Sequence, residues 1–137
     1  MSIFRIMGID YGEKRVGIAV SDPMRIFSKP FTVLQNNKNI FDKLKKIIRE
    51  QDVQKIVLGL PVHPDGNESE KTEEVKQFAI ELKGQINTPL IFFDERYTTQ
   101  DARKILITEG CSIEDSKQKI DMYAASVILK NYLESTK

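Results

Sequence analysis

The spacing of apolar positions changes period along the chain, and each change marks an element. Residues 3–10 (Ile-Phe-Arg-Ile-Met-Gly-Ile-Asp) form a nearly continuous apolar run that ends in an acid, the pattern of a buried strand. Residues 15–21 predict a second strand, joined to the first by a hairpin-sized connection that carries Gly12. A third strand is expected over 30–35, with Pro30 at its start, where a missing N–H does least harm. Helical spacing follows: Ile40, Phe41, Leu44, Ile47 and Ile48 lie on one face of a helix over 38–51, and Lys43, Lys45, Lys46 and Arg49 cover the rest. Residues 55–60 predict a short apolar strand that Pro61 stops, and 62–69 a loop. Val75, Phe78, Ala79 and Leu82 mark a helix over 70–83, with Gly84 in the C-terminal glycine position. Residues 89–94 predict another buried strand, running into Asp94-Glu95. Thr98 and Asp101 open a helix over 98–109 that Gly110 ends, and 117–134 predict the last helix.

Three strands and then alternating helices and strands predict an α/β domain: a five-stranded mixed sheet, antiparallel first and then parallel, with helices on both faces. No repeat or linker divides the chain, so residues 1–137 read as a single domain. In such a sheet, strand ends that present acids place a site beyond the carboxyl edge.

Composition removes whole classes of function. The 137 residues are 40% apolar and 30% charged, which excludes fibrous and wholly disordered chains. Cys111 is the one cysteine, so no intrachain disulfide forms and a reducing compartment is expected. Uncharged runs are far shorter than the ~20 residues of a membrane span, and the first residues lack the order of a signal peptide. A cytoplasmic protein without a membrane partner is the expectation. Net charge is only +1 but unevenly spread: residues 1–60 carry 11 basic against 6 acidic side chains, and residues 61–97 carry 4 against 8. The basic first half leaves room for an anionic partner.

Three acids stand out by position. Asp10 ends the first strand, Glu95 follows the last, and Asp121 sits in the first turns of the last helix. Ala124, Ala125 and Ile128 follow Asp121 at helical spacing, which places it beside the apolar stripe. An ionised acid there needs a metal or a basic neighbour; Lys117 and Arg15 are candidates for the second role. If the first and fifth strands are adjacent, Asp10 and Glu95 end close together and Asp121 can cover the same edge. Three carboxylates at one point repel one another unless a divalent cation joins them, and hard oxygen donors select Mg2+ or Mn2+. His63 and Cys111 offer no zinc cluster. Lys14, Arg15 and Arg96 follow the acids closely and could meet phosphates. Gly8 and Gly17 indicate close backbone approach or packing under a crossing helix, and Gly12 a turn dihedral.

The stretch Gly8-Ile-Asp10-Tyr-Gly12-Glu-Lys14-Arg15-Val-Gly17-Ile-Ala-Val-Ser21-Asp22 resembles the opening signature of the YqgF family. Three more blocks match in order: Val57-Leu-Gly59-Leu-Pro61 with Asp65-Gly66, Phe93-Asp94-Glu95-Arg96-Tyr-Thr98-Thr99 through Ala102, and Lys119-Ile-Asp121 with Ala124-Ala125. The resemblance implies an RNase H-like fold and a metal-dependent phosphodiesterase. Its catalytic and metal-binding acids fall on Asp10, Glu95 and Asp121, with Asp10 shared by two ions. It implies hydrolysis to a 5′ phosphate and a 3′ hydroxyl in nucleic acid, either precursor 16S ribosomal RNA or branched DNA, and Ala124 favours the RNA. The chain departs from RuvC-type resolvases in one place: they carry a further acid one turn after the third, where Ala124 stands here, though Asp94 or Asp22 could substitute.

Two other classes share features of this sequence. Sugar kinases and actin-like ATPases open with an Asp-x-Gly like Asp10-Tyr11-Gly12, but a chain of one lobe would need a homodimer to clamp a nucleotide. A non-catalytic binding module in ribosome assembly or transcription would use the acids structurally. Monomer and homodimer are both compatible with the sequence.

Overall fold

The computed structural model describes residues 3–62, 67–94 and 113–136, with backbone alone over 113–118. Strands β1 (Arg5–Tyr11), β2 (Arg15–Ser21) and β3 (Ser28–Gln35) form an antiparallel meander. Helix α1 (Ile40–Glu50) leads to β4 (Val53–Leu60), which pairs parallel with the free side of β1. Helix α2 (Glu70–Lys83) leads to β5 (Leu90–Asp94), parallel to β4, and α3 (Ile113–Ser135) completes the described fold. The sheet order is β3-β2-β1-β4-β5.

Strand alternation divides the core into two layers. Met7 and Ile9 of β1, Val16 and Ile18 of β2, and Ile56 and Leu58 of β4 pack against Leu44 and Ile47 of α1 and Val75, Phe78 and Leu82 of α2. On the other face Ile6, Ala19 and Val57 pack against Ala125, Ile128, Leu129, Tyr132 and Leu133 of α3. Strands buried on both faces need apolar side chains at successive positions, which explains the unbroken runs.

Two boundary expectations are corrected. Pro30 does not open the third strand; it is the third residue of β3, paired with Ala19 beside a register shift. An edge strand tolerates it because one side of its ladder is empty. Gly84 ends α2 with φ −70°, in the right-handed region, so a left-handed cap is not what fixes it. The other end of α2 is held by a capping box in which Ser69 and Thr72 exchange hydrogen bonds. The fully buried Thr72 hydroxyl also donates to the Pro61 carbonyl, tying α2 to the end of β4. The helix expected over 98–109 and the centre of the loop expected over 62–69 lie outside the described residues. No described helix is long and apolar enough to cross a membrane.

Candidate functional site

Ile6, Gly8 and Asp10 alternate onto the α3 face of β1, and Asp10 lies directly across the ladder from Gly17 of β2. Opposed residues of an antiparallel pair point to one face. At both glycines α3 touches the sheet. A Cβ on Gly8 would come 2.9 Å from the Ala125 carbonyl oxygen and from Leu129 Cβ. One on Gly17 would come 2.8 Å from the Met122 nitrogen and closer still to the Asp121 carbonyl oxygen. The glycines thus let the helix backbone reach the strands, and the start of α3 lies against the carboxyl end of β1. Asp10 and the backbone of Asp121 therefore both lie beside Gly17, on one face at one edge.

Asp121 is half-buried and has a counter-charge. Arg15, the first residue of β2, donates from Nε to Asp121 Oδ2 at 2.9 Å. Arg15 is thus the basic neighbour expected for Asp121. Lys14 is exposed in the hairpin turn before it. That turn is held from outside: Asn36 Nδ2 donates to the Gly12 carbonyl at 2.8 Å, and the Asn36 amide to the Lys14 carbonyl at 2.9 Å. Nothing in the sequence around Asn36 pointed to this clamp. Gly12 has no left-handed backbone; a Cβ there would collide with the Arg15 carbonyl, so close approach replaces the expected dihedral requirement.

The condition that β1 and β5 be adjacent is not met. β4 lies between them, because the chain adds each new parallel strand outward from β1. The ends of β1 and β5 are therefore two strand spacings apart, ~9.6 Å. Gly59 of β4 occupies the intervening row, on the face of Val57, and presents no side chain there. Ile91 and Phe93 of β5 pack with the α3 layer, so Asp94 alternates to the other face, away from Asp10. Glu95 and Arg96 lie outside the described residues.

Asp22 is not available as a substitute acid either. It follows the far end of β2, where its carboxylate accepts backbone hydrogen bonds from Ile26 and Phe27 at 2.7 Å and from Met24 at 3.1 Å. Burial raises its pKa, but these backbone bonds outweigh burial and hold it below the ordinary aspartate value. Ala124 is buried at 2% exposure.

The donor set at the edge suits a hard divalent cation. Asp10 and Asp121 are oxygen donors on one face, and Asp121 in this structure already holds a cationic group. Among the described residues there is no group of three or more ligating side chains; the third expected acid, Glu95, is outside them.

A family model described as "RuvX: Holliday junction resolvase" matches residues 4–135. The chain is 38% identical over 133 residues to a protein of Dictyoglomus turgidum named "Putative pre-16S rRNA nuclease", covering 96% of this chain and 94% of that one. A protein of the same name from Lactobacillus johnsonii is 37% identical, with 97% of each chain covered. Among solved structures, Thermus thermophilus RuvC in complex with a Holliday junction aligns with TM-score 0.60 and 10% identity, covering 97% of this chain and 96% of that one. The fowlpox virus resolvase with its junction DNA aligns with TM-score 0.60 and 14% identity, covering 97% and 99%. The sheet order and the mixture of parallel and antiparallel pairs are those of the expected RNase H-like fold.

Proposed function

The chain belongs to the RuvX family, and from that premise we propose that it is a metal-dependent endonuclease acting on structured nucleic acid in the cytoplasm, as a single RNase H-like domain over 1–137. The observation that carries the proposal is the Asp10–Gly17 ladder pair with the Asp121 backbone pressed against it. Two acids from opposite ends of the chain share one face at the carboxyl edge, where open α/β sheets hold their sites.

Asp10, Asp121 and Glu95 would hold Mg2+ or Mn2+. When bound, the cation supplies a water of lowered pKa and charge stabilisation for the departing oxygen. The rest of the task falls to the chain. Gly8 and Gly17 set how closely α3, which carries Asp121, approaches the sheet, and Asn36 fixes the turn that holds Lys14 and leads into Arg15. Lys14, Arg15 and Arg96 are the groups proposed to meet the phosphates on either side of the scissile bond. Arg15, paired with Asp121 here, would be released to meet a phosphate if a cation held that carboxylate.

Precursor 16S ribosomal RNA is the proposed substrate. Its support is the shared name of relatives 37–38% identical over nearly the whole chain, together with a buried alanine where RuvC-type resolvases carry a further acid. Branched DNA is the second reading, favoured by the family description. The test is cleavage of a precursor ribosomal RNA and a four-way DNA junction side by side, with Mn2+ and with EDTA. RNA cleavage that EDTA abolishes is expected; cleavage of the junction alone reverses the substrate, and cleavage of neither in Mn2+ removes the nuclease reading.

A further inference from the structure

On the opposite face of the sheet, the same edge opens into a cleft of about 390 Å3, within the ~300–1,000 Å3 of small-ligand sites. Tyr11 follows Asp10 directly and alternates to this face. It lines the cleft with Phe41 from α1 and Phe78 from α2. The ring centroids of Tyr11 and Phe41 lie 4.7 and 5.6 Å from that of Phe78. Phe78 is buried, whereas Tyr11 and Phe41 are only half-buried, so aromatic surface remains open above a packed base.

The polar lining is complementary in kind. Asn36 has its amide N–H group engaged with the Gly12 carbonyl, which leaves Oδ1 to accept. Asn37 has Oδ1 engaged with the Asn39 amide at 2.9 Å, which leaves Nδ2 to donate. Two neighbouring side chains thus offer an acceptor and a donor, the pairing that a base edge presents in return. Exposed Gln77 adds a third side-chain amide, whose Nε2 donates to Glu81 Oε1 at 3.5 Å. One cation, Lys38, faces two acids, Glu74 and Glu81, and that balance disfavours phosphate. An uncharged, flat group with an open π face fits this chemistry, and stacking on aromatic side chains is how unpaired bases are held.

We propose that this cleft receives an unpaired nucleobase of the strand whose backbone crosses the edge at Asp10. The proposal rests on the nucleic-acid reading above and narrows it: a nucleotide beside the cleavage point must be unstacked, in a bulge, a loop or a single-stranded flank. Gly12, without a side chain, stands at the turn between the two faces.

The test uses the full chain carrying Asp10→Asn, without added metal, so that RNA is bound but not cut. Two labelled RNA duplexes of equal length are titrated, one continuous and one with a single bulged 2-aminopurine. The bulged RNA should bind about tenfold more tightly, with its fluorescence changed on binding by stacking. Adding Asn37→Ala with Gln77→Ala, both exposed positions, should equalise the two RNAs and leave duplex affinity unchanged. Phe41→Leu, which keeps apolar volume but removes a ring, should do the same. Equal affinity for the two RNAs at the outset overturns the proposal, as does a preference that survives these substitutions. So does a Glu74→Gln, Glu81→Gln variant that binds both RNAs more tightly, which would make the cleft a phosphate seat. Equal binding alongside intact Mn2+-dependent cleavage by the unsubstituted chain removes the cleft proposal alone. Absence of both binding and cleavage removes the nuclease reading with it.

Discussion

Arg15 and Asp121 are 106 residues apart in sequence and meet in a 2.9 Å hydrogen-bonded ion pair at the carboxyl edge of the sheet. The pair joins the β1–β2 hairpin to α3 at the point where α3 rests on Gly17. It also places a guanidinium where the proposed metal site needs a cation. Arg15 and the proposed metal ion would therefore compete for one carboxylate.

That competition fixes the sign of an Arg15→Gln substitution. Without metal, Asp121 loses its counter-charge and the variant should melt a few degrees lower. With the competitor gone, Mn2+ should bind several-fold more tightly in calorimetric titration. Cleavage should nonetheless fall, because the phosphate contact is lost. Weaker Mn2+ binding by the variant would show that Arg15 and the cation do not share Asp121.

Gly17→Ala and Gly8→Ala should differ in a set order. At Gly17 the new methyl meets helix backbone, the Asp121 carbonyl and the Met122 nitrogen, and neither can move without shifting α3. Overpacking of that kind should cost about 3 kcal/mol or more. At Gly8 the methyl is 2.9 Å from one carbonyl and from Leu129 Cβ, a milder conflict of about 1–2 kcal/mol. Urea denaturation of the two variants reads the order directly, and a Gly17→Ala protein as stable as the parent would contradict the close approach.

The order of elements, and the placement of Asp10 at a strand end and of Asp121 beside the apolar stripe of the last helix, were legible because they follow from periodicity. Runs such as Met7–Ile9 and Ile56–Leu58 are apolar at successive positions only because both faces of the sheet are covered. Strand order was not legible. An apolar run specifies burial but not a neighbour, so nothing distinguished β1–β5 from β1–β4 adjacency. Capping of α2 escaped because Thr72 stands where a Glu or Gln would have signalled the box. Asp22 shows the opposite error. Its place beside the first motif suggested chemistry, yet its oxygens are engaged by the backbone of residues 24–27.

Asp22 supplies a pH-dependent contribution. Its folded pKa lies below its unfolded value near 3.9, so its stabilisation is fully present above about pH 4 and is lost as pH falls through the folded value. Asp22→Asn should therefore be less stable than the parent at pH 7, by about 1 kcal/mol. The gap should narrow as pH falls below about 4 and through the folded value. A gap of the same size at every pH would mean that the charge of Asp22 contributes nothing.

Asp10→Asn separates a metal ligand from a structural acid. Asn keeps the size of the side chain and one acceptor oxygen but removes the charge that a divalent cation requires. The half-buried strand end and the buried residues of β1 behind it remain, so the metal-free melting temperature should stay within about two degrees of the parent. Mn2+ should behave differently. At 100 times its dissociation constant a ligand that binds only the folded state adds about 2.7 kcal/mol, or roughly 8 °C for a domain of this size. The parent should show that rise and the variant should not. Cleavage should fall by about 10²–10³-fold or more, the scale of losing a main electrostatic stabiliser of a transition state. An equal Mn2+-induced rise in both proteins would remove Asp10 from the metal site. Unchanged cleavage with the rise abolished would place the chemistry elsewhere than at the cation that Asp10 holds. A large drop in metal-free stability, with no cleavage by either protein, would make Asp10 a structural acid and the chain a binding module.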